Sequence, residues 1–114
     1  MIIAVPVTAD EEVDPRWGKA KNVALAKVEE GAITAWEVFD VGWDALHDQG
    51  EHGTHHGRIV RFLREHSVEA VVINHAGAPM MNTMAKMGLR IAIEATGPAR
   101  QAVLRAEKLF SETD

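Results

Sequence analysis

Residues 68–79 have the sequence Val-Glu-Ala-Val-Val-Ile-Asn-His-Ala-Gly-Ala-Pro, in which an apolar run leads through a short loop to a proline. Apart from Glu69, residues 68–73 are apolar, which is typical of a parallel strand that is buried on both faces. Residues 74–77 form a tight loop, and Pro79 is favoured in the first turn of a helix. The pattern predicts a strand–loop–helix unit of the kind from which α/β sheets are built.

The segments on both sides of this unit extend the alternation of strands and helices. A β-branched run over residues 2–7 predicts a first strand, and alternating residues 23–28 and 33–41 predict a hairpin with a Gly-containing turn. Helical periodicity follows over roughly residues 55–66, with Thr54 as the N-cap. The remaining predicted elements are a helix that ends at Gly88, a strand over residues 89–93 and a last helix that begins at Thr96-Gly97-Pro98.

The predicted order is β-β-β-α-β-α-β-α, which indicates an α/β fold with a mixed sheet and helices on its faces. We expect a single domain over residues 1–110 and a polar tail over residues 111–114. The hairpin reverses strand 2, whereas strands 1, 3, 4 and 5 point the same way. The loops that follow strands 1, 3, 4 and 5 therefore meet at one edge of the sheet, where α/β proteins bind their ligands.

The composition excludes several classes of site and partner. The chain has 114 residues, a formal net charge of −5 and no Cys. Without Cys there is no disulfide framework, thiolate zinc site or cysteine-ligated iron–sulfur cluster. The acidic balance argues against nucleic acid as a partner. No apolar run approaches membrane-spanning length and no signal-peptide pattern is present, so we expect a cytoplasmic protein with no membrane contact.

Histidines are concentrated in residues 47–57, which contain four of the six in the chain. Neutral imidazole is the commonest metal ligand in proteins, and His75 lies in a loop at the same predicted edge of the sheet. Neighbouring helical residues point about 100° apart, so His55 and His56 are not expected to ligate one ion together. The predicted metal ligands are His52, His55, His56 and His75, of which His52, His56 and His75 form the favoured set.

Positive groups are predicted at the same edge. Three helix N-termini, near Thr54, Gly77 and Thr96, would each offer free backbone N–H groups and the positive end of a helix dipole. The loops also contribute two glycines that permit close backbone approach and two cations: Gly77, Gly97, Arg16 and Lys19. This combination favours a small anion, a metal complex or a metal-containing anion as the ligand.

Other conspicuous residues are assigned to packing or to solvent. Trp36 and Trp43 are predicted to be core or dimer contacts, and the methionines of residues 80–87 to fill a core or an interface. The acidic residues of the run 10–14 are predicted to lie in a solvated loop.

Four short motifs follow one another in an order and spacing that cover nearly the whole chain. They are Ile3-Ala4-Val5-Pro6-Val7, Trp17-Gly18-Lys19-Ala20, His56-Gly57 and the strand–Gly77–helix unit. Together they resemble the dinitrogenase iron–molybdenum cofactor family, which includes NifX, NafY and the C-terminal domain of NifB. The resemblance implies a ribonuclease-H-like fold with a five-stranded mixed sheet. It also implies that the protein binds or carries iron–molybdenum cofactor, its precursors or related metal–sulfur clusters.

Some positions match the family pattern and others depart from it. Trp17-Gly18-Lys19-Ala20 takes the place of a common Phe-Gly-Arg-Ala motif, and His56-Gly57 matches a histidine–glycine pair. Arg16 stands where many members have histidine, and His75 stands where the family usually has glycine. The resemblance and the predicted edge together give a cofactor-binding set of Arg16, Trp17, Gly18, Lys19, His56, Gly57, Gly77, Thr96 and Gly97.

Two functions follow from the residues and the resemblance. The first is a small non-enzymatic binder or carrier of an iron–molybdenum or related metal–sulfur cluster, or of a metal oxyanion. The alternative is a divalent-metal site for zinc, nickel or copper that is held by histidines and serves binding or regulation outside nitrogenase assembly. Catalysis is not favoured, because no paired nucleophile or carboxylate accompanies the histidines. A homodimer and a cluster-delivery partner protein both stay open as partners.

Ligation by histidine predicts a pH dependence of binding. A ligating imidazole must be neutral, so we expect affinity for a metal or cluster to fall below about pH 6, near the pKa of free imidazole. Calorimetric titrations between about pH 5 and pH 8 measure this dependence, and a constant affinity over that range would contradict ligation by histidine.

Overall fold

The secondary structure alternates in the predicted order, with two short helical segments added. The computed structural model describes residues 1–46 and 52–112, the side chains of residues 52 and 53 excepted. The strands are β1 (Ile2–Val7), β2 (Asn22–Glu29), β3 (Ala32–Asp40), β4 (Ala70–Val72) and β5 (Arg90–Ala92). The helices are α1 (Trp43–Leu46), α2 (His52–Glu65), α3 (Ala78–Lys86) and α4 (Ala99–Glu112), with a 3-10 turn at Trp17–Lys19.

Within the described residues, five strands form one mixed sheet in the order β3-β2-β1-β4-β5. β1 pairs antiparallel with β2 and parallel with β4. β2 pairs antiparallel with β3, and β4 pairs parallel with β5. The α/β class and the five-stranded mixed sheet are therefore confirmed, and β1, β3, β4 and β5 point the same way as predicted.

Both faces of the sheet are covered, because alternate residues of its central strands point to opposite sides. One face packs against α4 in a core that includes Ile3, Val5, Val72, Val103 and Phe110. The opposite face packs against α2 and α3 in a core that includes Ala4, Val71, Ile59, Leu63 and Met84. The continuous apolar pattern of residues 68–73 thus has its physical reason in burial from both sides.

The segment after β3 begins with a short helix, α1, which the periodicity of the sequence does not predict. Gly42 has a φ of 63°, a left-handed conformation that glycine adopts without strain. Its carbonyl oxygen accepts hydrogen bonds from the N–H groups of Ala45 and Leu46, which closes the single turn of α1. Trp43 then turns into the core and packs edge-on against Trp17, with ring centroids 5.3 Å apart. The prediction of Trp43 as a core contact is confirmed.

Two helix boundaries also differ from the prediction. α2 begins at His52, so Thr54 lies inside its first turn and the prediction of Thr54 as the N-cap is wrong. α4 continues to Glu112. In its last turn, the Oγ of Ser111 donates a hydrogen bond to the Glu107 carboxylate at 2.8 Å. Residues 111–112 of the predicted tail are therefore helical, and residues 113–114 lie outside the described part of the chain. None of the helices described over residues 1–46 and 52–112 has the length and apolarity to span a membrane.

Two leucines give a matched test of the core. Leu63 on α2 is 1% exposed, whereas Leu109 on α4 is 59% exposed. We expect Leu63→Ala to lower the free energy of unfolding by about 2–5 kcal/mol, because it removes buried methyl groups and leaves a cavity. Leu109→Ala should change it by less than about 0.5 kcal/mol. Urea unfolding followed by circular dichroism measures both values, and equal losses would contradict this assignment of the core.

Candidate functional site

A cleft of about 750 Å³ opens on the face of the sheet that α2 and α3 cover. Its walls come from the loop after β1, from the N-terminal half of α2 and from the loop between β4 and α3. β1 and β4 are adjacent and parallel, so the loops that follow them begin side by side. The cleft therefore lies at the predicted edge of the sheet.

The described part of the cleft wall carries basic groups and no acidic ones. Its described lining includes Arg16, Lys19, His55, His56 and His75, and within that lining there is no Asp or Glu. The whole chain, by contrast, contains 17 Asp and Glu residues and has a net charge of −5. Apolar side chains complete the lining, among them Ile59, Pro79 and Met80. A locally positive cleft with an apolar lining thus lies within an acidic protein.

Asp14 fixes the start of the turn that carries the two cations. It is only 5% exposed, and its Oδ1 accepts a hydrogen bond from the backbone N–H of Arg16 at 2.9 Å. The same oxygen lies 3.4 Å from Nε of Arg16, and the backbone N–H of Asp14 donates to the carbonyl of Pro6 in β1. The prediction of a solvated acidic run is therefore wrong for Asp14. The sequence contains the signal, because an Asp side chain often bonds the backbone two residues further on.

The loop after β1 is also joined to the loop after β4. Arg16 and His75 form an isolated parallel β-bridge, which brings the backbones of the two loops together. His75 is exposed, and the side chain of Arg16 is 61% exposed. These two predicted site residues consequently stand next to each other along one rim of the cleft.

The N-terminus of α3 forms another part of the wall. Gly77 is its N-cap, in an extended conformation and without a side-chain cap, and Pro79 lies in the first turn as predicted. The first hydrogen bond of the helix runs from the N–H of Met81 to the carbonyl of Gly77. The N–H groups of Ala78 and Met80 precede that bond, so they point toward the end of the helix that attracts anions.

Trp17 packs the loop after β1 against the core, in addition to lining the cleft. Its ring is buried, and its Nε1 has no hydrogen-bond partner among the described residues. A buried N–H group that lacks a partner costs about 1–3 kcal/mol.

The histidines take different positions. His55 is buried, with Nε2 only 2.7 Å from the carbonyl oxygen of Gly18, whereas His56 is half-buried in the cleft wall. The side chain of His52 and all of His47 lie outside the described part of the structure. Among the side chains that are described, no three His, Asp or Glu residues lie close enough together to hold a metal ion. Of the predicted ligands whose side chains are described, all three line the cleft, but only His56 and His75 are not buried.

Three predicted cofactor-binding residues do not line the cleft. Gly57 is exposed on α2, and Thr96 and Gly97 precede α4 on the other face of the sheet. The carbonyl of Gly97 accepts a hydrogen bond from Val13, and the N–H of Ala99 donates to the carbonyl of Glu11. The loop after β1 therefore covers the start of α4. The expectation that three helix N-termini meet at one site is wrong for α4, because strand direction fixes an edge of the sheet and not a face.

Solved structures share this fold. The apo form of the orange protein from Desulfovibrio gigas has a TM-score of 0.75 at 22% identity, with 94% of this chain and 87% of that chain covered. PH0822 has a TM-score of 0.73 at 18% identity, covering 94% of this chain and 89% of that one. A Thermotoga protein provisionally described as a NifB protein has a TM-score of 0.66 at 22% identity, covering 97% and 87%. These likenesses show the fold.

The sequence was also compared with curated proteins and with family models. No curated protein matches the chain. The family model described as dinitrogenase iron-molybdenum cofactor matches residues 1–109, which include the sheet, the cleft and most of α4. The chain therefore belongs to the dinitrogenase iron–molybdenum cofactor family.

Proposed function

We propose that the protein is a non-enzymatic binder or carrier of an anionic, metal-containing ligand that occupies the cleft. The proposed ligand is an iron–molybdenum or related metal–sulfur cluster, or a metal oxyanion. The observation that carries the proposal is the composition of the cleft lining. Its described residues contain no carboxylate, and they include Arg16, Lys19, His56 and His75. Membership of the family supports a cofactor-binding or carrier role.

Electrostatics favours an anion at this position. A unit charge about 4 Å from a cation is stabilised by roughly 1 kcal/mol in water and by about 4 kcal/mol near a protein surface. Lys19 makes no ion pair within the described residues, so its charge is available to a ligand. The positive end of the α3 dipole adds to the same field.

The apolar part of the lining favours a sulfur-rich anion over a strongly hydrated oxyanion. The apolar side chains of Ile59, Pro79 and Met80 offer no hydrogen bond to an oxygen atom that loses its water. A polar group that is desolvated without a new partner costs free energy, whereas a weakly hydrated sulfide surface loses less. The cleft volume of about 750 Å³ also exceeds that of a single small ion and falls in the usual range of ligand pockets.

The chemistry of the lining supports binding rather than catalysis. The described lining residues include no hydroxyl, thiol or carboxylate that could act as a nucleophile or pair with a histidine base. His56 and His75 are the groups that could ligate a metal of the cargo or donate a hydrogen bond to its sulfur atoms. The same two imidazoles also support the alternative of a zinc, nickel or copper site, which the experiment below separates from the first proposal.

Binding of tetrathiomolybdate and of molybdate under anaerobic conditions tests the proposal. We expect calorimetry to show tighter binding of tetrathiomolybdate, because its sulfur surface suits the apolar lining. Lys19→Gln should raise the Kd by roughly tenfold, which corresponds to the loss of about 1.4 kcal/mol of Coulomb energy. Lys108→Gln is the matched control, because it removes the same charge from an exposed position on α4, on the other face of the sheet.

Two results would contradict the proposal. One is a folded wild-type protein that binds neither molybdenum anion. The other is an equal effect of Lys19→Gln and Lys108→Gln, which would indicate a general effect of net charge. A protein that binds zinc ions and neither anion would favour the histidine-held divalent metal instead.

A further inference from the structure

His55 is held by hydrogen bonds at both nitrogens of its ring. Nε2 lies 2.7 Å from the carbonyl oxygen of Gly18, and Nδ1 lies 3.4 Å from Nη1 of Arg58. A carbonyl oxygen only accepts hydrogen bonds, so Nε2 is the protonated nitrogen and donates. In the neutral ring Nδ1 is then the acceptor, and it faces the guanidinium group. Neither nitrogen has a lone pair directed at the cleft, which is what a metal ligand requires.

The partner of Nε2 lies in the middle of the turn that carries the cleft cations. The 3-10 turn Trp17–Lys19 is short, and its N-cap residue Arg16 makes no side-chain cap. Its backbone bonds are few: the N–H of Lys19 donates to Arg16 at 3.1 Å, and the N–H of Ala20 donates to Trp17 at a long 3.4 Å. A turn with so few bonds of its own depends on other elements for its position.

α2 supplies that support. A Cβ placed on Gly18 would lie 3.8 Å from Cδ1 of Ile59, so the turn and α2 are in contact. His55 is 7% exposed, and its bond to the Gly18 carbonyl is formed inside this contact, where competition from water is low. Arg58 continues the chain of bonds, because its Nη1 also donates to the carbonyl of Leu46 at the end of α1. The turn, α2 and α1 are thereby joined through His55.

We infer that His55 is a positioning residue of the cleft and not a metal ligand. Its ring sets the distance between α2, which carries His56, and the turn that carries Arg16 and Lys19. Affinity for an anion in the cleft therefore depends on His55, although the cations and His56 make the polar contacts. This effect on affinity rests on the proposed function, whereas the effect on the turn does not.

Three histidine variants separate this role from a general effect on folding. His55→Leu removes the donor to Gly18, whereas His55→Gln keeps an N–H donor on a side chain of similar reach. His66→Leu is the control, because it makes the same change at a half-buried histidine that follows the end of α2 and does not line the cleft. We expect the Kd for tetrathiomolybdate to rise about tenfold in His55→Leu, to stay within about threefold in His55→Gln and to be unchanged in His66→Leu.

Hydrogen exchange and nitrogen spectra supply readouts that do not need the anion. The amides of Lys19 and Ala20 should exchange faster in His55→Leu and at the wild-type rate in His55→Gln. In the wild-type chain, the imidazole ¹⁵N signals of His55 should show a proton on Nε2 and should not move when zinc ions are added. Because these spectra use the wild-type chain, the inference stays falsifiable even if His55→Leu does not fold.

The outcomes separate the two proposals. If the wild-type protein does not bind tetrathiomolybdate, the proposed function fails, and the exchange rates alone decide the role of His55. Wild-type exchange rates in His55→Leu would then overturn the inference, and faster exchange that His55→Gln restores would support it. Movement of the His55 nitrogen signals to metal-bound values on zinc addition would also overturn it, since His55 would be a ligand.

Discussion

The parallel pairing of β1 with β4 is the constraint on which the cleft depends. β1 lies in the middle of the sheet and is buried on both faces, with β2 on one side and β4 on the other. Because β1 and β4 run in the same direction, the chain leaves both strands at the same edge, and the loops that follow are close enough for Arg16 and His75 to form a β-bridge. α2 packs below these loops through Ile59. A different neighbour for β1 would separate the cations from His75, whatever the local sequence of either loop.

The field in the cleft is shaped by where the carboxylates are as much as by where the cations are. The described lining has none, but Asp14 lies just behind it and shares its charge with Arg16 at 3.4 Å. The carboxylate of Asp14 therefore partly compensates the charge of Arg16, which weakens the field of Arg16 at a ligand. Lys19 has no such partner among the described residues, so its charge contributes more to the field in the cleft than that of Arg16 does. Arg16 and Lys19 lie at the two ends of one turn and yet differ in role. Arg16 is partly structural, whereas Lys19 has no ion-pair partner among the described residues.

The sequence predicts the directions of the strands well, because burial on both faces leaves a distinct apolar pattern in residues 68–73 and because a hairpin reverses direction. It predicts the edge of the sheet at which the site lies for the same reason. It does not predict the face on which α4 packs, since the crossover rule places a helix only between two parallel strands, and among the described elements α4 does not connect two strands. Without that information, the sequence places Thr96 and Gly97 at the site, although they lie on the other face of the sheet. α1 depends on the contact of Trp43 with Trp17, and the burial of Asp14 depends on its hydrogen bond to β1. Local composition does not indicate such tertiary contacts.

In the histidine-rich segment, one turn of helix places neighbouring histidines in different environments, one structural and one in the proposed binding site. His55 and His56 are neighbours in the sequence, but they lie about 100° apart around α2, and His55 is buried against Gly18 whereas His56 is half-buried in the cleft wall. The buried bond gives the cleft a defined geometry, while the groups proposed to meet a ligand stay near solvent, as the 61% exposure of the Arg16 side chain shows. Exposed charges are screened by water and salt, so each contributes modestly to affinity. A carrier must also release what it binds, and a rigid frame with exposed, weakly acting contacts meets both requirements.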